Sequence, residues 1–342
     1  MRPPRRPPLA SLGRVTTTSL GMPRRLPEPP PTDLPTWKRA WDTALYGPDG
    51  FFRREAPAAH FRTSVHASPL FARAAVSLAR EEGLDTIVDI GAGRGELLSE
   101  IRRIDPGLDL LGVEIAARPA DLAEPIAWTT ALPASVDGLV VANEWLDDIP
   151  CHVVEVDDDG DVRIVHVDPA TGEETLGASV DHASVPSSLA GWLDRWWPLD
   201  RRDPGSRAEI GTTRDVAWSD VVRRIGHGLA VAIDYGHLTD ARPSYGSLRS
   251  YRRGRQVEVL PDGSRDVTAH VAVDSVAAAV GGVVRRQRDL LPELGVTATM
   301  PGRDLASADP AGYLDDLSRA GEAAELLGRG GLGDFWWILT RR

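Results

Sequence analysis

The run TIVDIGAGRG over residues 86–95, with Glu114 at the end of the next apolar run LDLLGVE, narrows the fold more than any other part of the chain. Ile87, Val88 and Ile90 read as a buried strand. Gly91, Gly93 and Gly95 follow at once, and a helix is predicted over 95–104. A strand that breaks into a glycine-rich turn before a helix is the nucleotide-cradling element of α/β folds, because glycine lets a ligand lie against the backbone. The spacing is GxGxG, so the third glycine comes one residue earlier than in the dinucleotide pattern GxGxxG. That tighter turn suits an adenosine ligand without a pyrophosphate. S-adenosylmethionine (SAM) is the best candidate, with NAD as the alternative. Asp89 is placed beside the turn to meet the ammonium of a methionine moiety. Glu114 ends the second strand, where an acid takes both ribose hydroxyls.

Composition removes other classes. A net charge of −11 argues against a general nucleic-acid binder, which needs clustered Lys and Arg for phosphates. Cys151 is the only cysteine, so neither a disulfide framework nor a cysteine metal cluster is expected, and a reducing, cytoplasmic setting is. No apolar stretch reaches the roughly 18 residues of a membrane span. Lys38 is the only lysine beside many arginines, which reads as GC-rich, bacterial coding.

Residues 1–35 are rich in Pro and Arg with no acid before Glu28, and are expected to be a disordered tail. Met22 offers a second start. Residues 36–342 read as one domain. Residues 36–84 are predicted to form helices, with Ser68 and Pro69 as N-cap and first-turn proline and Gly83 as a C-terminal stop. Strands are predicted near 86–90, 109–114 and 137–142, then at 229–234 (LAVAID) and 335–340 (FWWILT). Residues 151–228 read as an insertion or cap. Within it, HVVEV (152–156) and VRIVHV (162–167) flank DDDGD as a hairpin, and helices are predicted over 187–197 and near 213–225. A long loop is expected over 236–268, and a helix near 274–281.

The chemistry-bearing stretches lie at strand ends. NEWLDDIP (143–150) follows the strand that delivers Asn143 and Glu144 to the edge that carries Gly91, where Asn143 can donate and accept hydrogen bonds and Glu144 is a candidate to hold a cationic nucleophile. IDYGH (233–237) repeats the strand-then-acid arrangement with Asp234. The long loop carries Arg249, Asp266 and His270 as candidate substrate contacts. The aspartates at 157–161 lack the order of a calcium loop and read as a solvated hairpin tip. No HExxH, GxSxG or Walker pattern is present.

The blocks ALYGPDGFF (44–52), FRTSVHASPLF (61–71), GAGRGELLSEIRR (91–103), NEWLDDIP, IDYG, GSLRSYRR (246–253), DVTAHV (266–271) and RQRDLL resemble, in order and spacing, the MidA-like SAM-dependent methyltransferases. That resemblance implies a Rossmann-like fold with a mostly parallel seven-stranded sheet. It also implies SAM as cofactor and a protein side chain, arginine in a mitochondrial member, as methyl acceptor. By position it implies that Asp89, Gly91, Gly93, Gly95 and Glu114 bind SAM, with Thr63 and Ser68 beside them. Asn143, Glu144, Asp147 and Asp234 then line the site, and for an arginine acceptor Glu144 is the first candidate to orient the guanidinium, with Asp147 and Glu209 behind it. A family glutamate is His66 here, and a family alanine is Asp148. A catalytically silent assembly protein on the same fold is the reading His66 keeps open. Oligomeric state is left open.

Overall fold

A computed structural model describes residues 33–54 and 68–342. Of the expected tail over 1–35, residues 1–32 lie outside the described residues, as do Thr63 and His66, while Leu34 and Pro35 are held by hydrogen bonds to His166 and Val167. Helix α1 (Trp37–Tyr46) starts at Thr36, whose hydroxyl accepts from the Arg39 N–H. Helix α2 (Pro69–Glu81) precedes strand β1 (Thr86–Ile90), helix α3 (Glu96–Ile104) and strands β2 (Asp109–Val113), β3 (Ile126–Thr129) and β4 (Val136–Asn143). Strands β5 (His152–Val156), β6 (Val162–Val167), β7 (Glu174–Ser179) and β8 (Arg207–Ile210) follow, with α4 (Ser187–Trp196) before β8. Helix α5 (Thr212–Arg223) leads into β9 (Ile225–Asp234).

Three short strands come next: β10 (Arg249–Arg252), β11 (Arg255–Val257) and β12 (Asp266–Thr268). The chain closes with α6 (Val273–Val280), β13 (Val283–Arg286), α7 (Pro310–Leu327) and β14 (Trp336–Arg341).

Seven strands make the central sheet in the order β13-β14-β9-β4-β1-β2-β3. Pairings from β9 to β3 are parallel, whereas β14 runs antiparallel to both β9 and β13. The sheet is therefore mixed, which corrects the expectation of a mostly parallel one. Strand direction leaves no mark in an all-apolar run such as FWWILT. Side chains on both faces are buried: Ile87, Leu139 and Val231 pack on one face, and Val88, Val140 and Ala232 on the other. This two-sided burial is why these strands read as continuous apolar runs.

Strands β5–β8 form a separate antiparallel sheet between β4 and β9 in sequence, covered by α4 through Leu189, Trp192 and Leu193. Its hairpin tip is self-contained. The Asp157 carboxylate accepts from the N–H groups of Asp159 and Asp161 and pairs with Arg163. The tryptophans of α4 are packing residues, Trp192 donating to Asp215 and Ser275. The expected long loop over 236–268 is corrected in part: β10, β11 and β12 pair antiparallel there. They are three or four residues each and too short to display an alternating pattern.

Candidate functional site

The β1–α3 turn, the carboxyl ends of β2, β4 and β9, and α1 surround one cavity of about 480 Å³, within the range of small-molecule sites. The turn is latched to β2, since Gly91 and Ala92 both donate to the Val113 carbonyl (2.9 and 3.3 Å). Gly91, Gly93 and Gly95 all have left-handed φ, at +72°, +57° and +80°. At Gly91 a Cβ would lie 2.9 Å from the Trp145 ring, so the turn and the segment after β4 can meet only across a glycine.

Glu114 takes the Gly93 N–H on one oxygen and the Ala116 N–H on the other, each at 3.1 Å. A carboxylate so held still has lone pairs for two hydroxyls. Burial nevertheless lifts its pKa above the usual carboxylate range. Asp89 also lines the cavity. Its carboxyl is pushed well up, first by burial and then by Glu96 and Glu114. A cation brought beside Asp89 offsets both, because an opposite charge favours the ionised carboxylate.

The other end of the cavity is built from the segment after β4. Glu144 sits at φ +51°, fixed by its N–H donating to the Ile233 carbonyl, and its Oε1 accepts from Asn143 Nδ2 (3.2 Å). Left-handed backbone at a non-glycine residue costs about 1–2 kcal/mol and is retained where the surroundings over-determine it. Asp147 Oδ2 accepts from the hydroxyls of Tyr235 and Thr268. Asp148 and Asp266 complete the acids, and Tyr46, Phe52, Tyr235 and Tyr251 supply aromatic faces. The oxygens Asn143 Oδ1, Asp147 Oδ1, Asp148 Oδ1 and Asp266 Oδ1 are buried with no partner among the described residues. Seven residues with carboxyl groups line the cavity, and among the described residues no Lys, Arg or His does.

Of the residues the sequence singled out, Asp89, Gly91, Gly93, Glu114, Asn143, Glu144, Asp147 and Asp266 meet here. The others do not. Gly95 begins α3 and faces Leu122 and Trp128, so its lack of a side chain serves packing. Ser68 caps α2 through the Leu70 N–H and donates to Glu322. Arg249 is exposed and donates to the Leu248 carbonyl. His270 packs edge-on against Tyr235, with ring centres 5.1 Å apart, and burial lowers its pKa. Glu209 is 2% exposed and holds Ser247 by its N–H and hydroxyl (2.8 and 3.0 Å).

Asp234 lies behind the cavity wall and is a positioning residue. One of its oxygens accepts from the N–H groups of Leu146 and Asp147 (3.0 and 3.1 Å), the other from that of Tyr235. Asp234→Ala leaves buried donors unpaired at about 1–3 kcal/mol each. We expect it to lower stability by about 3 kcal/mol or more, read as a fall in the urea midpoint; an unchanged midpoint would contradict this role.

Sequence reasoning missed Tyr46, Phe52, Glu96, Trp145, Tyr235 and Tyr251. The aromatics were available as signals: each stands inside a stretch already marked for other residues, ALYGPDGFF, NEWLDDIP, IDYG or RSYRR. It also missed Arg214 on α5. This guanidinium is 1% exposed and donates to the carbonyls of Asp147, Ile149 and His270 at 2.6, 3.2 and 2.8 Å. It ties the segment after β4 to the one after β12. Among the described residues no group of His, Cys, Asp and Glu is arranged to hold a metal ion. No helix among them is long and apolar enough to cross a membrane.

The fold and the cavity at the carboxyl ends of its parallel strands define an α/β protein of the SAM-dependent methyltransferase class. A family model described as "Putative S-adenosyl-L-methionine-dependent methyltransferase" matches residues 109–287, just over half of the chain, and the chain belongs to that family. Its cofactor is SAM. The matched span carries Glu114, the segment after β4 and Asp266, and begins after the glycine turn. The chain is similar to a COG1565 superfamily member from Burkholderia thailandensis bound to S-adenosyl-homocysteine. Identity is 23% over 90% of this chain and 88% of that one, with a TM-score of 0.72. It is also similar to a COG1565 superfamily protein of the same organism at 25% identity, covering 90% and 87%, with a TM-score of 0.72. No curated protein matches the chain.

Proposed function

We propose that this chain is a MidA-like methyltransferase that transfers a methyl group from SAM to a protein side chain, an arginine nitrogen. The carrying observation is the sign of the cavity, where seven acids and no cationic side chain meet among the described residues. Such an acidic lining, with no cationic side chain to receive phosphates, disfavours the pyrophosphate of NAD. The Burkholderia relative is bound to S-adenosyl-homocysteine, which supports an adenosyl ligand over a dinucleotide for this fold.

When bound, SAM supplies an electrophilic methyl on a sulfonium. Asp89 and Glu114 would hold its ammonium and its ribose. Glu144, with Asn143 beside it, orients the acceptor guanidinium and draws its positive charge away from the attacking nitrogen. The tyrosine and phenylalanine faces favour a cation over a neutral acceptor. Arg214 and Asp234 hold the segment bearing Glu144 and Asp147 in place. No step needs a covalent enzyme intermediate.

Incubation with tritiated SAM and a lysate of the source cells, followed by amino-acid analysis, tests the reading. We expect label in methylated arginine. Label confined to lysine, to carboxylates or to nucleic acid would overturn the acceptor. No label in any macromolecule would favour a silent assembly protein.

A further inference from the structure

We propose that the β10–β11 hairpin is a docking rim for acidic residues that flank the methylated side chain, so that the acceptor is a protein segment with a cation at its target and Asp or Glu a few residues away. The proposal rests on the reading of the cavity as the site of a cationic acceptor. It adds what lies beside that cation in the acceptor's own sequence.

Strand β10 runs from the wall of the cavity to its outside. Its Tyr251 is paired with Asp266 of β12 on one side and with Gln256 of β11 on the other, and both Tyr251 and Asp266 line the cavity. One residue beyond Tyr251, Arg252 and Arg255 stand opposite each other and close a two-residue turn, with Arg253 and Gly254 at φ +51° and +73°. Arg249 lies two residues before Tyr251, so it shares that residue's face of the strand. Arg249, Arg252, Arg253 and Arg255 are all exposed. From the spacing of strand residues, the backbone of all four lies within roughly 10 Å of Tyr251.

These arginines carry charge that the fold does not spend on itself. Among the described residues no Asp or Glu forms an ion pair with Arg249, Arg252 or Arg255, and Arg249 donates only to the Leu248 carbonyl (2.7 Å). Arginines elsewhere are matched, Arg163 with Asp157, Arg242 with Asp274 and Arg285 with Glu293. The nearest acid in sequence is the exposed Glu258. In a chain of net charge −11 the hairpin is thus a local reversal of sign, set beside a cavity lined by seven acids. Two adjoining fields of opposite sign fit a segment that itself carries both signs, with its cation in the cavity and its acids on the rim. An extended segment spans about 3.3–3.6 Å per residue, so acids roughly two to four residues from the target reach the hairpin. A nucleic acid would satisfy the rim, but its phosphates beside the modified nucleotide would face the carboxyl groups of the cavity. The pairing of a basic rim with an acidic cavity therefore favours a protein.

The test is fluorescence anisotropy with labelled short peptides and the protein loaded with S-adenosylhomocysteine, in low salt. Each peptide has a central arginine, with Asp, Ser or Lys at the second and fourth positions on either side. The Asp peptide is expected to bind the unmodified protein at least ~10-fold more tightly than the Ser peptide. Salt at about 0.5 M should erase the difference, since exposed charges are screened. In the double variant Arg252→Glu, Arg255→Glu the order is expected to invert, with the Lys peptide binding best. Both positions are exposed, so the thermal midpoint of that variant should not move. Equal binding of the three peptides, an Asp preference that survives the charge reversal, or an oligouridylate that binds more tightly than the Asp peptide would each overturn the proposal.

A further set of peptides, with norleucine in place of the central arginine, separates this inference from the reading beneath it. If these keep the Asp preference and arginine adds nothing to their affinity, the rim stands and the arginine reading of the cavity falls. If the arginine peptides bind and are methylated alike whatever their flanks, the cavity reading stands and the rim falls.

Discussion

Gly93→Arg is expected to abolish SAM binding while leaving the protein folded. A Cβ at position 93 meets only Glu96 Oε2, at 3.3 Å, so the fold bears little more than the left-handed backbone at φ +57°, about 1–2 kcal/mol. The damage falls on the ligand. Gly93 lines the cavity between Asp89, Glu96 and Glu114. A tethered guanidinium there takes up the carboxyl groups that a cationic ligand needs and fills part of the space. We expect at least a ~100-fold loss of affinity, about 2.7 kcal/mol, by calorimetry. SAM should also cease to raise the thermal midpoint. Unchanged affinity would place the ligand elsewhere.

Glu144→Gln should separate binding from turnover. The amide keeps the size of the side chain and leaves the N–H to Ile233 that fixes the backbone. It loses the charge that faces the acceptor end. SAM affinity should stay within about threefold, while kcat for methyl transfer falls by about 10²–10³-fold, the size of effect seen when one preorganised electrostatic group is removed. The loss should appear in kcat more than in KM for the acceptor. Full turnover by this variant would remove Glu144 from the mechanism.

The donor end of this site was legible in the sequence because it is local. Strand β1, its glycine turn and α3 occupy residues 86–104, and α3 shows its buried face through Leu97, Leu98 and Ile101 at helical spacing. Glu114 is one strand away. The run LAVAID likewise read as a buried strand, and β9 extends it at its start to Ile225. The acceptor end was not legible in the same way. Tyr46, Asp148, Tyr235 and Asp266 come from α1, the end of β4, the end of β9 and β12, and only the packing of those elements brings them together. Asp266 reads in sequence as a charged loop residue, with no sign that it is buried in the wall of the same cavity as Asp148.

Three of the residues that lie off the cavity do so for one physical cause. Asp234, Glu209 and Ser68 are polar groups at strand or helix ends, where a side chain that satisfies backbone N–H groups looks the same in sequence as one that meets a ligand. The missed helix α7 has the opposite problem. It buries only Ala320, Ala323 and Leu326, so its apolar stripe is too narrow to stand out.

Underlying all of this is a single location for the adenosyl group: against the first βα turn, with its sugar on the acid that ends β2. A crystal grown with S-adenosylhomocysteine measures that directly. The expected result is adenosine density along Gly91–Gly93, both ribose hydroxyls within hydrogen-bond distance of Glu114, and the amino-acid ammonium beside Asp89. Density for the ligand outside this cavity, or a ribose turned away from Glu114, would contradict it.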